Sequence, residues 1–184
     1  IGSLTTLKTI GLHVNQFVGT IPSSFSKLSS LLIFSVDNNF LSGTIPEFFG
    51  LFQSLNTLDL SYNKFTGTLP SSMANLSNLK VLYAGQNLLH GSIPDSFSDL
   101  VSLQYLSLSG NKQLYGGSNP GFSGPVPEFI SSFENLTYLR LQNNSFTGTI
   151  PASLSKLKHL QNIKLAMNYL TGIIVSILHL YSYI

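Results

Sequence analysis

Apolar and polar positions along the chain recur in one fixed order. In residues 55–70, LNTLDLSYNKFTGTLP, Leu55, Leu58 and Leu60 are followed by Asn63, Phe65, Gly67 and the pair Leu69 and Pro70. The same order returns 24 residues upstream and 24 residues downstream, a period typical of solenoids. The first unit carries Leu7, Ile10, Leu12, Asn15, Phe17, Gly19, Ile21 and Pro22, and the second runs from Phe25 to Pro46. After the third and fourth units, closed by Pro70 and Pro94, the period breaks: Pro127 lies 33 residues beyond Pro94, which adds nine. The sixth unit, closed by Pro151, is regular again, and the seventh has Val175 where a proline is due.

Each x-L-x-L-x segment alternates inward and outward side chains, as a short strand must. Stacking such strands from successive units gives a parallel sheet with turns about 4.8 Å apart. Asn63 and its equivalents stand where the chain bends inward, and an amide there can satisfy backbone groups of its own and the neighbouring turn. Gly67 and its equivalents permit backbone conformations closed to other residues, while Pro70 and its equivalents open the return segment. The return segment of the fourth unit places Met73, Leu76 and Leu79 three apart, which suits a short 3₁₀ or α turn. Because helical turns are wider than strands, the sheet is expected on the concave side.

In the fifth unit either Asn111 keeps the bend position with the extra residues after it, or Asn119 takes that position. The nine-residue insertion falls within residues 109–124 in both cases. The chain enters in mid-repeat, and Leu178, Tyr181 and Ile184 still fall at the apolar spacing. The expectation is a single array over residues 1–184, about seven repeats long and truncated at both ends.

Composition removes several functions. A net charge of +2 with 9% charged residues leaves no basic stripe for phosphate backbones, so nucleic acid is not an expected partner. The absence of cysteine excludes a disulfide framework and thiolate metal sites. No signal-peptide pattern opens the sequence, and the apolar run Ile173 to Ile184 is too short to cross a bilayer. Among the histidines only His13 is expected on the concave side, and no nucleophile, base and oxyanion site converge. No metal-ligand spacing or phosphate-binding glycine loop occurs, so neither catalysis nor a cofactor is expected.

The assembled pattern LxxLxLxxNxFxGxIP resembles the plant-type leucine-rich repeat over essentially the whole chain. The resemblance implies an α/β repeat solenoid, a right-handed superhelix with a concave parallel β-sheet and 3₁₀ or α turns on the convex side. It also implies a non-catalytic recognition module, as in receptor-like kinases, receptor-like proteins and polygalacturonase-inhibiting proteins. The implied ligand is a protein, a peptide or wall-derived material, with a co-receptor as a further partner. The implied place is outside the cell or at its surface, with a membrane reached through other segments of a longer parent. The cysteine pairs that commonly flank such arrays are missing. A constitutive scaffolding array inside the cell is the alternative.

The outward residues of the strands, with the two positions after each, form four columns across the concave face. Tyr62, Tyr83, Tyr105 and Tyr138 cluster in its middle, with Asp37 and Asp59 toward the start and Arg140 and Lys164 toward the end. Tyrosine combines apolar area with a polar tip at low ordering cost, which suits a binding anchor. Asp59, Tyr62, Tyr83, Tyr105, Tyr138, Arg140 and Gln142 are therefore the candidate ligand contacts. Against this, tyrosines are also ordinary β-formers that cover sheets, and surface charges are often only solvated. Tyr115 in the insertion KQLYGGSNPGFSG is a second candidate, since added loops on solenoids often carry binding. Asn75, Asn135 and Asn143 are Asn-x-Ser/Thr acceptors for glycans. The first two fall on the outer return segment and the third on the concave side.

Overall fold

The structure, a computed structural model, describes residues 1–113 and 117–174. Each x-L-x-L segment forms a three-residue strand facing the inside of the coil: β1 Thr9–Gly11, β3 Ile33–Ser35, β5 Thr57–Asp59, β7 Val81–Tyr83, β9 Tyr105–Ser107, β11 Tyr138–Arg140 and β13 Asn162–Lys164. They form one seven-stranded sheet in sequence order. All neighbours are parallel, with Thr9, Ile33, Thr57, Val81, Tyr105, Tyr138 and Asn162 in register. The central residue of each strand points inward; Phe34, Leu58, Leu82, Leu106 and Leu139 are fully or almost fully buried.

The return segments are short 3₁₀ helices among the described residues, at Ser23–Lys27, Glu47–Leu51, Ser71–Asn75, Asp95–Asp99, Glu128–Ser132 and Ala152–Lys156. A proline precedes every one of them, with φ between −69° and −57°. Its ring fixes the entry angle and its carbonyl accepts the first bond of the turn, as Pro70 does from Met73. Wide helical turns on one side and narrow strands on the other put the long sheet on the concave side of the coil. Between the two layers runs one continuous core, in which Phe34, Phe49 and Phe52 meet edge to face at 5.1 and 5.6 Å.

The structure adds an element that the sequence pattern does not announce. The residues around the recurring glycines pair from turn to turn as a second parallel sheet: β2 Val18–Gly19, β4 Phe40–Thr44, β6 Lys64–Gly67 and β8 Leu88–Leu89. Beyond the fifth turn, β10 Ser123–Pro125 pairs with β12 Ser145–Thr147. Glycine is required at this corner. Gly67 has φ +79°, and a Cβ there would lie 3.0 Å from the methyl of Thr44 in the preceding turn.

Asparagines hold the bends. The Asn87 amide donates to the carbonyls of Leu60 at 3.0 Å and Gly85 at 3.1 Å, and its Oδ1 accepts the Phe65 backbone N–H at 3.0 Å. Asn39, Asn63, Asn111, Asn144 and Asn168 repeat this bridge between a turn and its predecessor. Asn111, not Asn119, therefore fills the bend of the fifth turn. The added residues leave the coil after it and rejoin at Phe122, whose N–H is bonded to Asn144 Oδ1. Asn119 instead pins the inserted loop, donating to the carbonyls of Asn111 at 2.8 Å and Leu89 at 3.3 Å while its N–H meets Gln113 Oε1.

The residue before each bend asparagine adopts a left-handed backbone: Val14, Asn38, Tyr62, Gln86, Gly110, Asn143 and Met167 have φ between 53° and 71°. Hydrogen bonds on to the next turn, such as Tyr62 N–H to the Gly85 carbonyl at 3.0 Å, hold the bend in place. For a β-branched residue this conformation is strained.

Three stability outcomes follow from these bends. Replacing Asn87→Ala leaves the Phe65 N–H and Leu60 carbonyl buried without that partner and should cost about 3 kcal/mol in chemical denaturation. Asn15→Ala, which removes only exposed bonds within its own turn, should cost less than about 1 kcal/mol. Val14→Asn, at φ 53° and 71% exposed, should stabilise the chain by about 1 kcal/mol by relieving the left-handed strain. A loss of stability in that variant would contradict the assignment of strain to Val14.

Candidate functional site

The outward residues of the concave sheet surround a hollow of about 320 Å³. Asp37, Asp59 and Ser61 line one side, Tyr62 and Tyr83 the middle, and Ser107, Ser109 and Arg140 the other side. Gly85 also lines it, and the next turn packs closely there: a Cβ would lie 2.7 Å from the Ser109 carbonyl oxygen. Of the expected contacts, Asp59, Tyr62, Tyr83 and Arg140 line this hollow together with Asp37, whereas Tyr105, Tyr138, Gln142 and Lys164 do not. Ser61, Gly85, Ser107 and Ser109 were readable as column residues, but nothing in their chemistry marks them as the lining of a hollow.

Tyr83, Tyr105 and Tyr138 stand half-buried. The rings of Tyr105 and Tyr138, adjacent across β9 and β11, stack at 4.9 Å with planes 12° apart. The Arg140 guanidinium lies 5.8 Å from the Tyr138 ring centre, a cation–π distance. Burial pushes the Tyr83 hydroxyl above its ordinary pKa, with Arg140 pulling the other way. Tyr83 consequently stays a neutral hydroxyl that can donate and accept. Tyr62 is 55% exposed at its left-handed bend position.

The acidic side is held by serines. Ser61 donates to Asp59 Oδ1 from both its N–H, at 3.0 Å, and its Oγ, at 2.6 Å. Ser35 Oγ donates to Asp37 Oδ1 at 2.6 Å, and Asn38 Nδ2 to the other oxygen at 2.8 Å. Burial nevertheless raises the Asp59 pKa; the Ser61 bonds oppose that shift, and the nearby Asp37 carboxylate adds to it.

Gln142 is half-buried, and its Oε1 finds no hydrogen-bond partner among the described residues. The same holds for Asn143 Oδ1 and Asn162 Oδ1. Asn143 is half-buried at a left-handed position, whereas Asn75 and Asn135 are exposed on the return side. Tyr115 lies outside the described residues. The insertion is flanked by a brace that sequence does not suggest, in which Lys112 Nζ donates to Tyr169 Oη at 2.7 Å and sits 4.2 Å from its ring centre. Among the described residues no group of three histidines or acidic residues is placed to hold a metal ion, and no helix is long and apolar enough to cross a membrane.

Two leucine rich repeat family models match the sequence, one over residues 53–112 and the other over 6–28 and 135–157. The chain belongs to the plant-type leucine-rich-repeat family. Its fold is similar to that of the plant peptide hormone receptor RGFR1 solved in complex with RGF2, at 33% identity and a TM-score of 0.88 over 96% of this chain and 27% of that one. A TDR receptor is 42% identical, with a TM-score of 0.84 over 93% of this chain and 28% of that one. The Arabidopsis receptor kinase HAESA, solved with the peptide hormone IDA and the co-receptor SERK1, is 30% identical, with a TM-score of 0.85 over 93% of this chain and 27% of that one. This leucine-rich-repeat chain therefore spans little more than a quarter of the length of these receptor structures. Sequence comparison with curated proteins gives no match.

The raised pKa of Asp59 has a defined consequence for stability. A carboxyl that prefers its protonated form in the folded chain contributes stability at acid pH, and that contribution is lost as pH rises through its folded pKa. Asp59→Asn, which never ionises and can still accept from Ser61, should melt higher than the parent at neutral pH. The difference should shrink toward zero below the ordinary aspartate value of 3.8. Thermal melts at the two pH values check this, and a variant less stable at neutral pH would show that the charged form is favoured in the fold.

Proposed function

We propose that this chain is a peptide-recognition segment of a plant cell-surface receptor, binding its ligand on the concave sheet. The observation that carries the reading is the hollow itself. Half-buried Tyr83, exposed Tyr62, hydroxyl-held carboxylates and an exposed arginine converge there on the concave sheet. Rigid aromatic surfaces with polar tips supply contact area at little ordering cost, and charges at the rim orient what arrives. The solved receptors of similar fold support the reading, because two of them hold peptide hormones and one also holds a co-receptor. A co-receptor partner for this chain belongs to the same proposal, as does an extracellular location with glycans on Asn75 and Asn135. The site acts by binding and carries out no reaction.

The test is to pan random linear peptides displayed on phage against the full chain and to repeat the capture with Tyr83→Ala. The expected result is capture by the parent and a loss of affinity of about tenfold or more in the variant, on the scale of an interface hot spot. Its melting temperature should change little, since Tyr83 is half-exposed. Capture that survives in the variant would place binding elsewhere, and no capture by the folded parent would overturn the peptide reading.

A further inference from the structure

One row of the concave sheet carries charges of opposite sign at a fixed separation. Asp59, Tyr83, Ser107 and Arg140 are successive in-register partners on β5, β7, β9 and β11, and Lys164 on β13 follows Arg140. Three strand spacings of about 4.8 Å set Asp59 and Arg140 roughly 14 Å apart. At that distance, beyond the screening length of about 8 Å at physiological salt, the two charges do little to neutralise each other. Arg140 and Lys164 are both exposed and adjacent, so like charges sit side by side on this end of the row. The half-buried Asp59 is held in place by Ser61 at the other end. Between them, Tyr83 and Ser107 line the hollow.

An extended peptide laid along this row, across the strands, advances about 3.3 Å per residue. It therefore covers the separation in about four residues. We propose that the concave face selects linear peptides by charge spacing: a basic group seated at Asp59, and a carboxylate about four residues away seated between Arg140 and Lys164. The occupant lies with its basic end toward the first turns and its acidic end toward the last, over Tyr83 and the stacked Tyr105 and Tyr138. The carboxylate comes from an acidic side chain or from a chain end, which are the same chemistry to a guanidinium. This inference rests on the peptide-binding reading above and specifies what that site accepts.

The experiment sequences the displayed peptides captured by the full chain and titrates the synthetic consensus against variants. The expected consensus has Lys or Arg at one position and Asp or Glu about four positions away, and neutralising either one weakens binding about 10- to 100-fold. Asp59→Asn, which preserves shape, should remove the preference for the basic residue alone; Arg140→Ala with Lys164→Ala should remove the acidic preference alone. The exchange Asp59→Lys with Arg140→Glu should select peptides of reversed order. Amidated and free-acid forms of the consensus peptide distinguish a side-chain carboxylate from a chain end. Captured peptides without the spaced charge pair, or unchanged affinity in the folded Asp59→Asn variant, would overturn the charge-spacing rule while leaving peptide binding intact. No capture by the folded parent would overturn both.

Discussion

The coil depends on satisfying backbone groups at its bends. Each turn must reverse direction beside the core, where a backbone group without a partner costs on the order of 1–3 kcal/mol. The asparagine amides meet this requirement by spanning two turns at once, taking carbonyls from both and returning one acceptor to the turn before. A leucine at the same position would fill space yet leave those groups bare. The regular leucines supply the bulk of the stabilisation, but the amides make the stacking of one turn on the next obligatory.

That constraint also frees the concave face of the sheet. With the bends fixed from inside, the outward side chains of the strands are not needed to hold them, and the left-handed position carries valine, tyrosine, glutamine and methionine in different turns, at a cost in strain for the β-branched valine. The face is free to vary, and here it has collected tyrosines and opposed charges. Asp59 shows the cost of that freedom: burial works against its ionised form.

The coil could be read from the sequence because its signals repeat. Leu58 and Leu60, two apart, and Met73, Leu76 and Leu79, three apart, report strand and 3₁₀ turn directly. The second sheet could not be read, because partners such as Val18 and Phe40, Ser42 and Lys64, and Thr66 and Leu88 share no periodic chemistry; their pairing comes from contact with the neighbouring turn. The left-handed column is silent for the same reason. Asn111 and Asn119 were equivalent candidates until hydrogen bonds to Leu89 and Leu108 distinguished the bend from the pin. The columns of the concave face followed from alternation, but the hollow did not, since it is enclosed by residues of five successive turns, from Asp37 to Arg140.

Each asparagine ties its turn to the turn before it, so the molecule is joined like links in a zipper. Tension applied along the axis would load one such seam at a time, with the outermost seam giving way first. A leucine-rich-repeat array tied in this way, each turn touching only its neighbours, would lengthen in steps of one repeat.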